Sequence, residues 1–181
     1  MLMEEKTMKT EKIYDGKVVN LRVDTVELPD KKYSKREIVE HPGAVGIIAI
    51  TDQEELIIVK QYRKPVEKFL LEIPAGKLEL NEEPRETGIR ELKEETGYEP
   101  GNLEYVFEFY PSPGITTEKI HLFIATDLRP GERQLDDGEF VEVEKIAIKE
   151  LKRKLKRGEI LDSKTVIAIY LAEEYLKEKG V

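Results

Sequence analysis

The sequence predicts an α+β fold organised around a mixed sheet. Two observations carry this. Strand-length segments outnumber helical ones, and one helical segment stands among the strands while two more close the chain. The length of 181 residues suits one domain with at most a small appendage, and neither an internal repeat nor a low-complexity linker divides it.

Residues 1–10 read as a frayed start. Val18–Leu28 alternates loosely and predicts a strand. Pro29-Asp30 supplies turn chemistry, and Tyr33–Glu40 predicts the returning strand, so residues 18–40 form a hairpin. Pro42-Gly43 breaks the chain. Ala44–Ile50 and Leu56–Val59 are apolar runs flanking the polar turn Asp52–Glu55, which predicts a second hairpin of buried strands. Phe69–Ile73 is a short apolar stretch ending at Pro74-Ala75-Gly76. Pro84–Thr96 predicts a helix. Proline is tolerated in the first turn, where its missing N–H has no helical partner, and Gly97 stands where a C-terminal cap belongs. Gly88 inside this helix costs roughly 1 kcal/mol against alanine. Close packing of that face on a sheet would offset the cost, and Ile89 and Leu92 are expected to pack inward. Leu103–Tyr110 and Ile120–Thr126 predict strands joined by a loop that opens with Pro111-Ser112-Pro113-Gly114. A polar loop, Asp136–Glu139, precedes a strand near Phe140–Ile148, and helices follow near residues 149–157 and 163–178.

Composition excludes several functions. Charged residues are 38% of the chain and the net charge is −8, which opposes general affinity for nucleic acid or anionic membranes. The six basic residues between Lys149 and Arg157 flank an apolar stripe of Ile148, Leu151 and Leu155, and read as the solvated face of an amphipathic helix. With no cysteine there is neither a disulfide framework nor a thiol nucleophile, and His41 and His121 alone make a histidine-rich zinc site a poor fit. The apolar runs fall well short of the ~20 residues that span a bilayer. Charges run throughout Met1–Lys12, unlike a signal peptide, so a cytoplasmic location is expected. An acidic protein that handles phosphates needs cations to bridge the two.

Glu91, Glu94 and Glu95 lie three and four residues apart, which brings their side chains to one helical face. Like charges that close destabilise a helix unless a cation or a basic partner neutralises them, and carboxylate oxygens suit Mg²⁺ or Mn²⁺. The spacing around them is more specific. Gly76 is followed by five residues and Glu82, then by seven more and the run Arg90-Glu91-Leu92-Lys93-Glu94-Glu95-Thr96-Gly97-Tyr98. This resembles the signature of the Nudix hydrolase family at each fixed position, with Tyr98 standing where that family usually has an aliphatic residue. The resemblance runs from about Arg36 to Val143.

The resemblance implies an α/β/α sandwich around a mixed sheet and hydrolysis of a diphosphate linked to another group, with Mg²⁺ or Mn²⁺. It implies that Glu91, Glu95 and the backbone carbonyl of Ala75 are metal ligands, that Glu94 assists, and that Glu82 and Arg90 tie loop to helix. The runs Lys60-Gln61-Tyr62-Arg63 and Leu71-Glu72-Ile73-Pro74-Ala75-Gly76, Pro113 in its turn, and Asp137-Gly138-Glu139-Phe140-Val141-Glu142-Val143 resemble the ADP-ribose pyrophosphatase subgroup. In that subgroup an acid on the late loop activates water; Glu139 is the first choice, with Glu142 and Asp137 behind it. Arg36 and Arg63 match nucleotide-contacting positions, and Leu78, Ser112 and Pro113 match substrate-lining ones. Subgroup members are homodimers, which implies residues 1–41 as a dimerising hairpin region and 42–181 as the catalytic domain. The expected ligand is a nucleoside diphosphate sugar, foremost ADP-ribose. The alternatives are another nucleoside diphosphate derivative, or a ligand sensor on the same fold without activity.

Overall fold

The apolar runs in the middle of the chain do become strands, but their pairing partners differ from those the sequence suggests. The computed structural model describes residues 4–180 apart from Asp136, Asp137 and Glu139. It divides into two units, the first made of Met1–Gly43 with Phe109–Lys119, the second of Ala44–Glu108 with Ile120–Val181.

In the first unit β1 (Lys6–Asp15), β2 (Asn20–Glu27) and β3 (Tyr33–Glu40) form an antiparallel sheet in that order. The frayed start is therefore corrected: from Lys6 onward it belongs to a strand, and the hairpin is a three-stranded meander. The signal was hidden because register shifts between Thr7 and Lys9 and between Lys12 and Tyr14 break the two-residue alternation. Every β1 side chain is also exposed, so no apolar stripe marks it. The β2–β3 turn closes with Lys31 in a left-handed conformation (φ 68°), its N–H donating to the Leu28 carbonyl at 2.9 Å. The 109–119 segment lies along β3: the Val39 N–H donates to the Ile115 carbonyl at 2.8 Å and the Val39 carbonyl accepts from Thr117 N at 2.9 Å.

The second unit contains β4 (Ala44–Ala49), β5 (Glu55–Arg63), β6 (Lys68–Glu72), β7 (Ala75–Lys77), α1 (Pro84–Thr96), β8 (Tyr98–Glu99), β9 (Asn102–Phe109), β10 (Ile120–Thr126), β11 (Arg129–Pro130), β12 (Val141–Ala147), α2 (Ile148–Lys156) and α3 (Ser163–Lys179). The mixed sheet has the order β7-β4-β10-β9, with β10 parallel and β7 antiparallel to β4. A second, antiparallel sheet has the order β12-β5-β6, and β8 pairs with β11. The expected hairpin of β4 and β5 is thus corrected. The two join at a bridge between Ile50 and Leu56 and then enter different sheets. A run that is apolar at every position carries no register signal, so its neighbours cannot be read from it.

The core of this unit gathers Val45, Ile47 and Ala49 of β4, Ile57 of β5, Leu92 of α1, Leu103 of β9, and Phe123 and Ala125 of β10. Helix α1 covers β4 with its Thr87, Gly88, Leu92, Glu95 and Thr96 side. This face does pack on the sheet, but a Cβ built on Gly88 would meet Leu103, Phe123 and Ile47 at 3.6–3.9 Å, ordinary contact distances that do not themselves require glycine. Ile89 is corrected: it is 38% exposed. The inward stripe is centred on Gly88, Leu92 and Glu95, and Ile89 lies about 100° round the helix from Gly88. Among the described residues no helix is long and apolar enough to cross a membrane.

Candidate active site

The site grows from the place where the chain leaves one sheet for the other. Between β6 and β7 the two residues Ile73 and Pro74 carry the backbone across, and Ala75 begins β7. The Pro74 carbonyl accepts from the Ile47 N–H at 2.8 Å. The Ala75 N–H donates to Oε2 of Glu95 at 3.0 Å. Glu95 is buried on the inner side of α1, where a carboxylate is costly unless its oxygens are engaged.

Gly76 follows directly. A Cβ placed on it would run into the Glu91 carboxylate, so the absence of a side chain lets that carboxylate lie against the loop backbone. Arg90 then organises the acids around it. Its Nε and Nη2 donate to the two oxygens of Glu82 at 2.9 and 3.0 Å, a bidentate pair between loop and helix. Its Nη1 donates to Glu91 Oε1 at 2.9 Å and to Glu94 Oε2 at 2.8 Å. Hydrogen bonding from Arg90 holds the Glu82 carboxyl down to about 2, and the Arg90 guanidinium is raised, chiefly by Glu82. A carboxyl depressed in the folded state stabilises the fold above its unfolded value of 4.5, and that stability is lost as pH falls through about 2. We expect Glu82→Gln to melt lower than the parent at pH 7, with the gap narrowing below pH 4.5 and closing near pH 2. A gap that stays constant across that range in thermal melts would contradict the ion pair's role.

The helix end is braced as well. Gly97 caps α1 in a left-handed conformation (φ 76°), and its N–H donates to the Lys93 carbonyl at 2.8 Å. Arg133 Nε donates to the Glu95 carbonyl at 2.6 Å and its Nη2 to the Val141 carbonyl, joining the end of α1 to β12. Tyr98 packs against the core cluster with Lys145 over its ring at 5.2 Å, so its body fills the expected aliphatic position.

The donor chemistry fits a hard divalent cation. Carboxylate oxygens from one helical face stand beside a loop backbone stripped of its side chain at Gly76. Among the described residues no three acidic or histidine side chains are drawn into a closed cage, and Glu91 and Glu94 are instead bridged by Arg90.

The remaining expected residues fall as follows. Arg63, at the end of β5, sends Nε and Nη2 to Glu72 at 2.7 and 2.8 Å, and this fork raises its pKa. Leu78 packs against the core cluster. Arg36 belongs to the first unit, where Nε donates to Glu5 at 2.9 Å and Nη1 to Ser34 Oγ at 2.9 Å. Ser112 and Pro113 are exposed in the 109–119 segment of that unit, and the Ser112 carbonyl accepts from Ile115 and Thr116 N–H at 3.1 Å each. Glu139 and Asp137 lie outside the described residues.

Sequence reasoning missed Lys164 and the pairing of Glu72 with Arg63. Glu72 is buried in β6 and also receives the Lys164 ammonium from α3. Burial pushes its carboxyl up, but Arg63 and Lys164 more than offset this and leave it below its ordinary value. Lys164 stands 92 residues away in sequence, so local spacing could not reveal the pair.

Residues 40–167 match the NUDIX domain, and residues 5–39 match a nucleoside diphosphate sugar hydrolase N-terminal domain. The chain belongs to the Nudix family of hydrolases. It is 49% identical over 179 residues to an ADP-ribose pyrophosphatase of Bacillus subtilis strain 168, covering 98% of this chain and 95% of that one. It is 53% identical over 182 residues to a methanol dehydrogenase activator of Bacillus methanolicus, covering 98% of each. In fold it matches a solved ADP compounds hydrolase with a TM-score of 0.88 at 23% identity, covering 99% of this chain and 98% of that one.

Proposed function

We propose that this chain hydrolyses the pyrophosphate bond of ADP-ribose, and of related ADP-sugars, to AMP and a sugar phosphate with Mg²⁺ or Mn²⁺. Water adds to one phosphorus, the P–O–P bridge breaks, and the bridging oxygen leaves on the other phosphate. The observation that carries this reading is the α1 carboxylate set seated against Gly76. The 49% identity to an ADP-ribose pyrophosphatase over nearly the whole chain supports the substrate.

In this reading Glu91, Glu95 and the Ala75 carbonyl hold the cation and Glu94 assists. Bound there, the cation supplies Lewis acidity that screens phosphate charge, acidifies water and eases departure of the leaving oxygen. The protein's own part is positioning, which phosphoryl chemistry chiefly needs. Arg90 keeps Glu91 and Glu94 in place. Arg63 serves the nucleotide through guanidinium donors suited to phosphate and to adenine stacking, with Leu78 beside it, while Arg36 serves the site of a partner copy in the same way and Ser112 and Pro113 are proposed as substrate-lining residues. Glu139 takes the role of activating water. We further infer a cytoplasmic homodimer whose N-terminal sheet contributes to the interface.

A second reading is favoured by a GDP-mannose pyrophosphatase of Salmonella arizonae, 32% identical over 94% of this chain: the same site turned to another nucleoside diphosphate derivative, dinucleotides included. A panel of ADP-ribose, ADP-glucose, GDP-mannose, NADH and dinucleoside polyphosphates with Mg²⁺ decides between them. ADP-ribose is expected to show the highest kcat/KM. Preference for any other compound would replace the first reading with the second, and failure on all would return the sensor.

A further inference from the structure

Three consecutive residues, Ile73–Ala75, are fixed by three different elements. Pro74 is held by β4 and Ala75 by Glu95 of α1. Ile73 is held by α3: its N–H donates to Thr165 Oγ1 at 2.8 Å, in a buried contact. The direction of that bond is locked. The Thr165 hydroxyl donates its proton to Asp162 Oδ2 at 2.6 Å, and Asp162, capping α3, also accepts from the Thr165 N–H at 2.9 Å. With its one proton committed, the hydroxyl can meet Ile73 only as an acceptor.

The neighbouring residues are gripped in the same way. Lys164 Nζ binds the buried carboxylate of Glu72 and pairs with Asp162 Oδ1 at 3.0 Å. Glu72 in turn receives the Arg63 fork. Adjacent residues of α3, Lys164 and Thr165, therefore hold the adjacent residues Glu72 and Ile73. Docking a helix does not require this, because Ala168, Ile169 and Ala172 already supply the apolar face of α3. Burying the Lys164 ammonium against the Glu72 carboxylate is a weak source of stability, so its more specific product is a fixed geometry.

We infer that the first turn of α3 is a positioning device for the crossing loop. Thr165 sets Ile73 and through it the seat of Ala75 against Glu95, while Lys164, through Glu72, orients Arg63. Both are positioning residues. The inference rests on the function proposed above for what the loop and Arg63 do.

The test compares Thr165→Val, which keeps the shape and removes the acceptor, with Thr165→Ser, which restores it. Three measurements are made: amide hydrogen exchange across residues 71–77 in metal-free protein, Mn²⁺ binding by electron paramagnetic resonance, and steady-state hydrolysis of ADP-ribose. Thr165→Val is expected to speed exchange at Ile73 and Ala75, weaken Mn²⁺ binding and lower kcat by about tenfold each, with KM within about twofold. Thr165→Ser returns all three to the parent. Parent-like exchange and Mn²⁺ binding in Thr165→Val would overturn the inference. Lys164→Gln is the second variant and decides alone if Thr165→Val does not fold. It is expected to raise KM for ADP-ribose about tenfold while Mn²⁺ binding holds; an unchanged KM would overturn it. If the parent hydrolyses no compound of the panel, the proposed function fails, whereas exchange and Mn²⁺ binding still report on the loop.

Discussion

Glu95→Gln is expected to lower metal-dependent turnover about a thousandfold while the protein stays folded. The size follows from the several kcal/mol that a cation contributes to transition-state charge stabilisation, at about 1.4 kcal/mol per tenfold in rate. The fold survives for a local reason. The carboxylate accepts from the Ala75 N–H at 3.0 Å, and the amide oxygen of glutamine can accept the same bond. Replacement also removes one negative charge from a helical face that carries Glu91 and Glu94, so the melting temperature should hold or rise. Steady-state rates across a Mg²⁺ titration, beside a circular-dichroism melt, check both halves. Turnover within tenfold of the parent would show that Glu95 is not a ligand.

Gly76→Ala should cost about a hundredfold in turnover, the scale on which a misplacement of about 1 Å at a reacting centre acts. The fault of alanine here is collision, because Gly76 is not among the left-handed positions of the chain. The new methyl would strike the Glu91 carboxylate and push it from the loop, and Arg90 Nη1, which bridges Glu91 and Glu94, would be drawn along. We expect the Mg²⁺ concentration for half activity to rise while KM for ADP-ribose changes little. Metal dependence identical to the parent would place the Glu91 carboxylate elsewhere in the working enzyme.

The site was legible because its residues are close in sequence and lie on one helix. Glu91, Glu94 and Glu95 need only the helical period to be placed together, and Gly76 and Glu82 stand at a fixed distance upstream. The same period misplaced Ile89, because a stripe centred on a glycine looks empty in sequence. Strand boundaries such as Tyr33–Glu40 and Ile120–Thr126 could be read from composition, whereas the partner of β4 could not. Its parallel neighbour β10 lies far downstream, and an apolar run carries no mark of register. Arg63 shows the same limit in a side chain. The sequence offered it to the nucleotide, and the fold first commits it to Glu72, a residue that β-strand register sets opposite Val59. Pairings of that kind are written in tertiary structure, where burial makes a partner obligatory.

Strand β1, unreadable from its pattern, lies at the edge of its sheet with every side chain exposed. An open edge is a template for another chain, and identical segments stacking in register are the route to cross-β fibres. Stacked copies of Lys6–Asp15 would set Lys6, Lys9, Glu11, Lys12 and Asp15 each against its own image, ladders of like charge repeating about every 4.8 Å. The charges of this strand thus oppose pairing of its long exposed edge with further copies of itself.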